Sequence, residues 1–304
     1  MREQVLCAVV GAQPLTVSVV IATLGRPERL RRALEAVRTL SPAPAEVVVV
    51  DGDPAGSASV AAEAGLAVVY VSSPPGLTRQ RNRGLHVATS DVVVFLDDDA
   101  ALDVGVLGVL SELYADASVV GATGPVEEPS SHRIGGQRSR LRSVLRGRRA
   151  EGTFMACGYP RRIVDGTVAM DVEFMPGCFM SARLDAARAV RFDESLPGYA
   201  LAEDEDFSYR LSRVGRIRYD PRAVVHHDNT GFGSRDRFAF GRTVVVHRHY
   251  LFRKNFAVTL FARLQFVALV AVFFVHRLVN RDVRGALGII GGVVAVLRGA
   301  RPSS

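Results

Sequence analysis

The chain has 304 residues, 48% of them apolar, which is enough to bury a core in one large domain or two small ones and excludes a disordered or fibrous chain. Its net charge of +7 comes largely from one stretch, because residues 132–149 hold seven arginines and no acid. An excess that local predicts no basic face and therefore no nucleic-acid partner, and three scattered cysteines exclude a disulfide framework or a zinc site and fit a reducing compartment.

Val5 to Val10 is short for the apolar part of a signal peptide, has Glu3 in its flank and runs on into a strand pattern, so no cleaved signal is expected. Val17 to Ala22 reads as a buried strand. Pro27 then opens a helix in which Leu30, Ala33, Leu34 and Val37 recur at helical spacing. The connecting turn, Thr23 to Pro27, holds one glycine, so the dinucleotide fingerprint is missing and a nicotinamide enzyme is not expected. A second strand, Glu46 to Val50, ends in Asp51-Gly52-Asp53. A third, Ala67 to Val71, leads into a helix through Ala88 that carries Arg79, Arg81 and Asn82.

The fourth strand, Asp91 to Leu96, stops in Asp97-Asp98-Asp99 and resumes as Ala100-Ala101-Leu102. Strands alternating with helices predict an α/β sheet, largely parallel. Ligands of open α/β sheets bind at the carboxyl ends of strands, so Thr23 and Arg26, Asp51 and Asp53, Arg81 and Asn82, and Asp97 to Asp99 converge on one crevice. Three adjacent carboxylates repel unless water, arginines or a hard cation neutralises them. Mg²⁺ or Mn²⁺ held beside nucleotide phosphates is one solution. A solvated turn with Asp99 or Asp103 as a helix cap is the other.

Met175 to Met180 reads as a turn at Gly177 leading into a strand. A second acidic knot, Glu203-Asp204-Glu205-Asp206, opens a helix whose apolar face is Phe207, Leu211 and Val214. Four acids overshoot what capping needs. Asp206 pairs with Arg210 at i,i+4, Glu203 tends inward, and Asp204 is left nearest the open end. Crowding should raise at least one of these pKa values, which suits a general base. A strand from Arg218 to Val225 then closes on His226 and His227.

Val17 to Thr23, Val48 to Asp51, Arg81 to Gly84, Phe95 to Asp99 and Glu203 to Phe207, in that order, resemble the family 2 glycosyltransferases, inverting enzymes of the GT-A fold that include bacterial envelope and rhamnosyltransferase-like members. The resemblance covers about residues 15–255. It implies a GT-A catalytic domain over 1–250, with a nucleotide-binding half at about 15–125 and an acceptor-side half at about 150–250. It also implies that Thr23, Asp51 and Arg81 hold the base and phosphates of a UDP-, dTDP- or GDP-sugar, with Arg26, Asp53, Asn82 and Asp98 in the same donor crevice. Asp97 and Asp99 fill the positions that meet ribose and metal, and His226 falls near the diphosphate and metal, with neighbouring His227 leaving the register open. Asp204 is the implied base, and Glu203, Gly177 and Asp206 lie on the acceptor side. Asp51-Gly52-Asp53-Pro54 departs from the commoner Asp-Asn-Gly-Ser turn. The implied chemistry is one in-line displacement at the anomeric carbon.

Residues 251–304 form a basic and apolar tail. Arg263 and Gln265 interrupt the apolar run from Phe256 to Val275, which leaves Phe266 to Val275, too short to cross a bilayer. Helices lying on the anionic cytoplasmic face of the cell membrane are expected, with a spanning hairpin or a soluble core helix as alternatives. A lipid-linked or envelope polysaccharide acceptor would follow, with the arginine-rich 132–149 loop as a phosphate or headgroup contact. The competing functions are a sugar nucleotidyltransferase, for which the first loop is too poor in glycine and lysine, and an inactive membrane scaffold of the same fold.

Overall fold

The computed structural model describes residues 15–53, 57–128, 151–163, 166–228 and 236–302. The arginine-rich stretch 132–149 and the segment Val5 to Val10 lie outside the described residues. Strand β1 (Val17–Thr23) feeds helix α1 (Pro27–Arg38), where Pro27 stands in the first turn, Glu28 favours the positive end and Arg38 the negative one. The pattern repeats through β2 (Glu46–Asp51), α2 (Ala58–Glu63), β3 (Val68–Ser72), α3 (Leu77–Val87) and β4 (Val92–Asp97). Next come β5 (Ala100–Leu102), α4 (Val106–Tyr114), β6 (Val119–Thr123), β7 (Val126–Glu127), β8 (Met170–Val172), β9 (Phe179–Arg183), α5 (Leu184–Val190), α6 (Glu203–Leu211), β10 (Arg216–Tyr219) and β11 (Val225–His227).

Eight strands form one sheet in the order β3-β2-β1-β4-β9-β6-β10-β8. The first four are parallel, and β9 enters antiparallel to both β4 and β6, so the sheet is mixed. Two-residue alternation divides the core. Val19, Ile21, Val49, Val94 and Leu96 pack on one face with Leu30, Leu34 and Leu110, while Val20, Val48, Val93 and Phe95 pack on the other with Leu85, Phe192 and Phe207. Gly84 is where α3 touches the sheet, since a Cβ there would stand 2.3 Å from Val20 Cγ1.

The expected strand Arg218 to Val225 is two strands. Pro221 lacks an N–H, and the Asp220 carboxylate accepts from the Arg222 N–H at 2.9 Å, so the chain turns there. The second piece, β11, joins β5 and β7 in a separate three-stranded sheet, with His227 opposite Ala100. The acidic helix also stops at Leu211, short of Val214.

Three helices follow, α7 (Arg237–Asn255), α8 (Leu260–Val279) and α9 (Val283–Leu297). The boundary drawn at residue 250 falls inside α7. Gly241, Gly288 and Gly292 let α7 and α9 touch closely, since a Cβ on Gly241 would stand 2.4 Å from the Gly285 carbonyl oxygen. Arg263 and Gln265 do not interrupt α8. The Gln265 side chain accepts from the Cys157 N–H at 3.0 Å, which turns that polar group toward the protein. Among the described residues α8 is the one helix long and apolar enough to cross a membrane, with 20 residues and a mean hydropathy of 1.7.

Candidate active site at the carboxyl ends of the strands

Parallel β1 and β4 end side by side, so Thr23 and the Asp97–Asp99 run meet. The Thr23 hydroxyl donates to Asp98 at 2.8 Å, and Arg26 reaches the other Asp98 oxygen at 3.2 Å. Asp51, fully buried at the end of β2, accepts from the Asp53 N–H at 2.8 Å and the Tyr70 hydroxyl at 2.9 Å. The Gln80 side chain ties the two strand ends, donating to the carbonyls of Thr23 at 2.7 Å and Val50 at 3.0 Å.

Arg81 is the centre of the site. Its guanidinium, 2% exposed, donates to Asp97 at 2.9 Å, to Glu203 at 2.8 Å and to the Gly177 carbonyl at 2.8 Å. One planar fork therefore joins the acidic strand, the turn before β9 and the acidic helix. On the other side of that turn, the Gly177 N–H donates to Asp204 at 3.0 Å, and the other Asp204 oxygen accepts from the Glu205 N–H at 2.9 Å. A Cβ on Gly177 would stand 3.2 Å from Glu203 Oε1. Ala200 and Ala202, just before the helix, both hold left-handed backbone, at φ 51° and 69°. Residues with a Cβ adopt that conformation at a cost that the surroundings must offset.

Burial pushes the Asp204 carboxyl up to about 6, and the charge of Glu205 adds to it. Burial also drives Glu203 upward, with Asp204 reinforcing and Arg81 opposing. Asp97 is raised by burial in spite of Arg81. Burial pushes Asp99 up too, but His227, Arg29 and Arg26 outweigh it and the group ends below the usual carboxylate range.

Several expected site residues stand elsewhere. His226 pairs with Asp103 and not with the acidic run, its ring Nε2 2.7 Å from that carboxylate and its side chain 51% exposed, because neighbours in a strand point to opposite faces. It is His227 that approaches the acids, with Nε2 3.2 Å from Asp99 Oδ1, and Asp97, Asp99 and His227 place one ligand atom each within 4.8 Å of one another. Neither Asp99 nor Asp103 caps α4 with its side chain, since Gly105 holds the cap position. Asn82 is buried, bracing Phe192 through the backbone N–H and carbonyl at 2.8 and 2.9 Å. Asp206 is fully buried under Arg210, Lys254 and Asn255, so it anchors the helix. Arg248 grips Glu205 with two bonds, at 2.7 and 2.9 Å.

Octahedral ligand atoms about 2.1 Å from Mg²⁺, at right angles, stand about 3.0 Å apart. The 3.2 Å hydrogen bond between Asp99 Oδ1 and His227 Nε2 spans a distance that also fits that spacing; the carboxylates suit Mg²⁺ or Mn²⁺, and the imidazole favours the softer Mn²⁺ of the two. His227→Ala should lower the affinity for Mn²⁺ at least tenfold, on the order expected for a lost ligand, while His226→Ala leaves it within about twofold. Mn²⁺ titration followed by electron paramagnetic resonance separates the two variants.

A sequence model described as glycosyl transferase family 2 matches residues 18–181, more than half of the chain. A pre-mycofactocin glycosyltransferase of Mycobacterium tuberculosis is 29% identical over 229 residues, covering 72% of this chain and 44% of that protein. The chain thus spans less than half the length of that relative. The structure of GalNAc-T7 with UDP, GalNAc and Mn²⁺ superposes with a TM-score of 0.58 at 17% identity, over 79% of this chain and 50% of that one. The mannosyltransferase PcManGT from Pyrobaculum calidifontis, in complex with GDP-Man and Mn²⁺, superposes with a TM-score of 0.57 at 16% identity, over 93% of this chain and 87% of that one. These likenesses agree with the mixed sheet and its flanking helices in a GT-A-like α/β fold, and the chain belongs to glycosyl transferase family 2.

Proposed function

We propose that this chain is an inverting glycosyltransferase that moves a sugar from a nucleoside diphosphate donor to a hydroxyl of a lipid-linked or cell-envelope glycan. The observation that carries the reading is the Arg81 fork, which brings a metal-type acidic pair and a perturbed carboxylate into one crevice. Asp204 takes the acceptor proton, with the Gly177 N–H orienting its carboxylate. Arg26, half-exposed beside Asp98, lowers the cost of charge developing on the departing diphosphate, while the buried Arg81 holds Asp97 and the Gly177 turn in place. Asp97, Asp99 and His227 would hold Mg²⁺ or Mn²⁺, which supplies Lewis-acid neutralisation of the leaving group. One displacement inverts the anomeric centre and needs no protein nucleophile. The Mn²⁺ bound in both structural relatives supports the cation, and their UDP and GDP-mannose support a nucleotide-linked donor.

Incubation with UDP-, dTDP- and GDP-sugars tests the reading. Nucleoside diphosphate release with one donor, abolished by chelation and by Asp99→Ala, is the expected result; release that survives both excludes the metal-assisted mechanism.

We read the acceptor as lying at the cytoplasmic face of the membrane, and the exposed apolar surface of α8 supports the membrane part of that reading. Leu260, Phe261 and Leu264 are 74%, 66% and 61% exposed on α8, an apolar cost that lipid would remove, and Arg253, Arg281 and Arg284 lie at its edges. The full chain should bind anionic vesicles more tightly than neutral ones, with Phe261→Asp/Leu264→Asp weakening sedimentation with vesicles at least about tenfold. Equal sedimentation of wild type and variant contradicts membrane docking through α8.

A further inference from the structure

Each acid of the Asp97–Asp99 run already faces an arginine of its own chain. Arg81 meets Asp97 at 2.9 Å, Arg26 meets Asp98 at 3.2 Å and Arg29 meets Asp99 at 2.5 Å. The third pair differs from the other two in its surroundings. Asp99 Oδ2 is held by Arg29 while Oδ1 stands against His227, the spacing that fits a divalent cation. Both oxygens are therefore engaged, and the pair is half-buried, at 26% and 15% side-chain exposure. A fixed guanidinium beside the position of a doubly charged ion opposes that ion strongly where water screens little. Arg29 and Arg32 also line a cavity of about 430 Å³ whose other charged walls are Asp98, Asp99, Glu127, Glu128 and Asp228, so theirs are the two guanidinium groups an entering anion would meet.

We propose that Arg29 is a resident counter-ion of Asp99 that makes divalent-cation binding conditional on the donor's diphosphate. Without the diphosphate, an arriving cation meets an acid already neutralised and a like charge at close range. With it, phosphate oxygens draw Arg29 away and leave the Asp99 charge to the cation. Metal and nucleotide thus bind as one unit, and the acidic run stays compensated between turnovers. The inference rests on the reading that Asp99 and His227 hold the cation.

The test is a Mn²⁺ titration of the full chain by electron paramagnetic resonance, with Mn²⁺ alone and with UDP, dTDP or GDP in separate arms, for wild type, Arg29→Gln, Arg29→Lys and Asp99→Ala. Arg29→Gln should bind Mn²⁺ alone at least about tenfold more tightly than wild type, and the enhancement by diphosphate should shrink by a similar factor, since the coupling is reciprocal. Arg29→Lys keeps the charge and should stay close to wild type. Unchanged or weaker Mn²⁺ binding in Arg29→Gln overturns the proposal, and so does equal tightening in Arg29→Lys. If Asp99→Ala binds Mn²⁺ as wild type does, the metal reading fails together with the proposal. If Asp99→Ala is silent and Arg29→Gln is no tighter, the Arg29 proposal alone fails.

Discussion

Asp204→Asn should cut sugar transfer by about a hundredfold to ten thousandfold, the range of a lost general base, while donor affinity stays within about twofold. The separation follows from the contacts. Asp204 accepts from the N–H groups of Gly177 and Glu205; an asparagine oxygen keeps the Gly177 bond and gives up the one to Glu205, a loss confined to the first turn of the helix. What is lost is the ability to take a proton. The same residue sets the pH profile. A base works deprotonated, and burial together with Glu205 raises the Asp204 pKa to about 6, so transfer should fall roughly tenfold per pH unit below that value and level off above it. Steady-state rates across pH, with donor affinity measured by calorimetry, check both points. A variant retaining more than about a tenth of wild-type turnover contradicts the role, and Asp206→Asn, which loosens the anchor to Arg210 and Lys254, should act on stability with a smaller effect on chemistry.

Arg81→Ala should destabilise the fold by about 3–5 kcal/mol, the usual consequence of removing one partner of a buried ion pair. The guanidinium joins Asp97, Glu203 and the Gly177 carbonyl, and its carbon lies 5.4 Å from the centre of the Phe192 ring. Deletion leaves Glu203, 9% exposed, without its cation. Typical domains hold about 5–15 kcal/mol in all, so the loss is a large fraction of the total. Arg81→Lys should recover part of it, because a point charge cannot serve three acceptors in the fork geometry. Adding Glu203→Gln to Arg81→Ala should also recover part, since the penalty belongs to the stranded carboxylate. Urea unfolding of wild type, Arg81→Ala, Glu203→Gln and the double variant measures the cycle, with Arg81→Lys beside them, and a loss under about 1 kcal/mol for Arg81→Ala would refute the central position given to this residue.

Strands β1 to β4 were legible because their apolar runs and the helical spacing of Leu30, Ala33, Leu34 and Val37 answer to local rules. So was the Asp206–Arg210 pair, which depends only on helix geometry. The turn at Pro221 divided a strand that the apolar pattern had joined, although the proline itself was a visible signal. The choice between His226 and His227 turned on the register of β11 against β5, a long-range pairing that no local pattern encodes. Asn82 and Asp206 carried polar side chains that look available in a linear chain and are spent on Phe192 and on α7 once the chain folds. Arg29 went unnoticed although it lies three residues beyond Arg26, in the first turn of α1, and both reach the acidic run. Arg248 and Lys254, the grips on the acidic helix from α7, had no sequence signal at all.

A crystal structure with Mn²⁺ and the nucleoside diphosphate chosen by the donor assay tests the account most directly, with anomalous scattering locating the ion. The predicted result is one ion bound by Asp97, Asp99 and His227, with phosphate oxygens beside it, Arg29 turned toward the diphosphate, and the Asp204 carboxylate facing the open side of the crevice. An ion at His226 and Asp103, or a diphosphate bound away from the Arg81 fork, would contradict it.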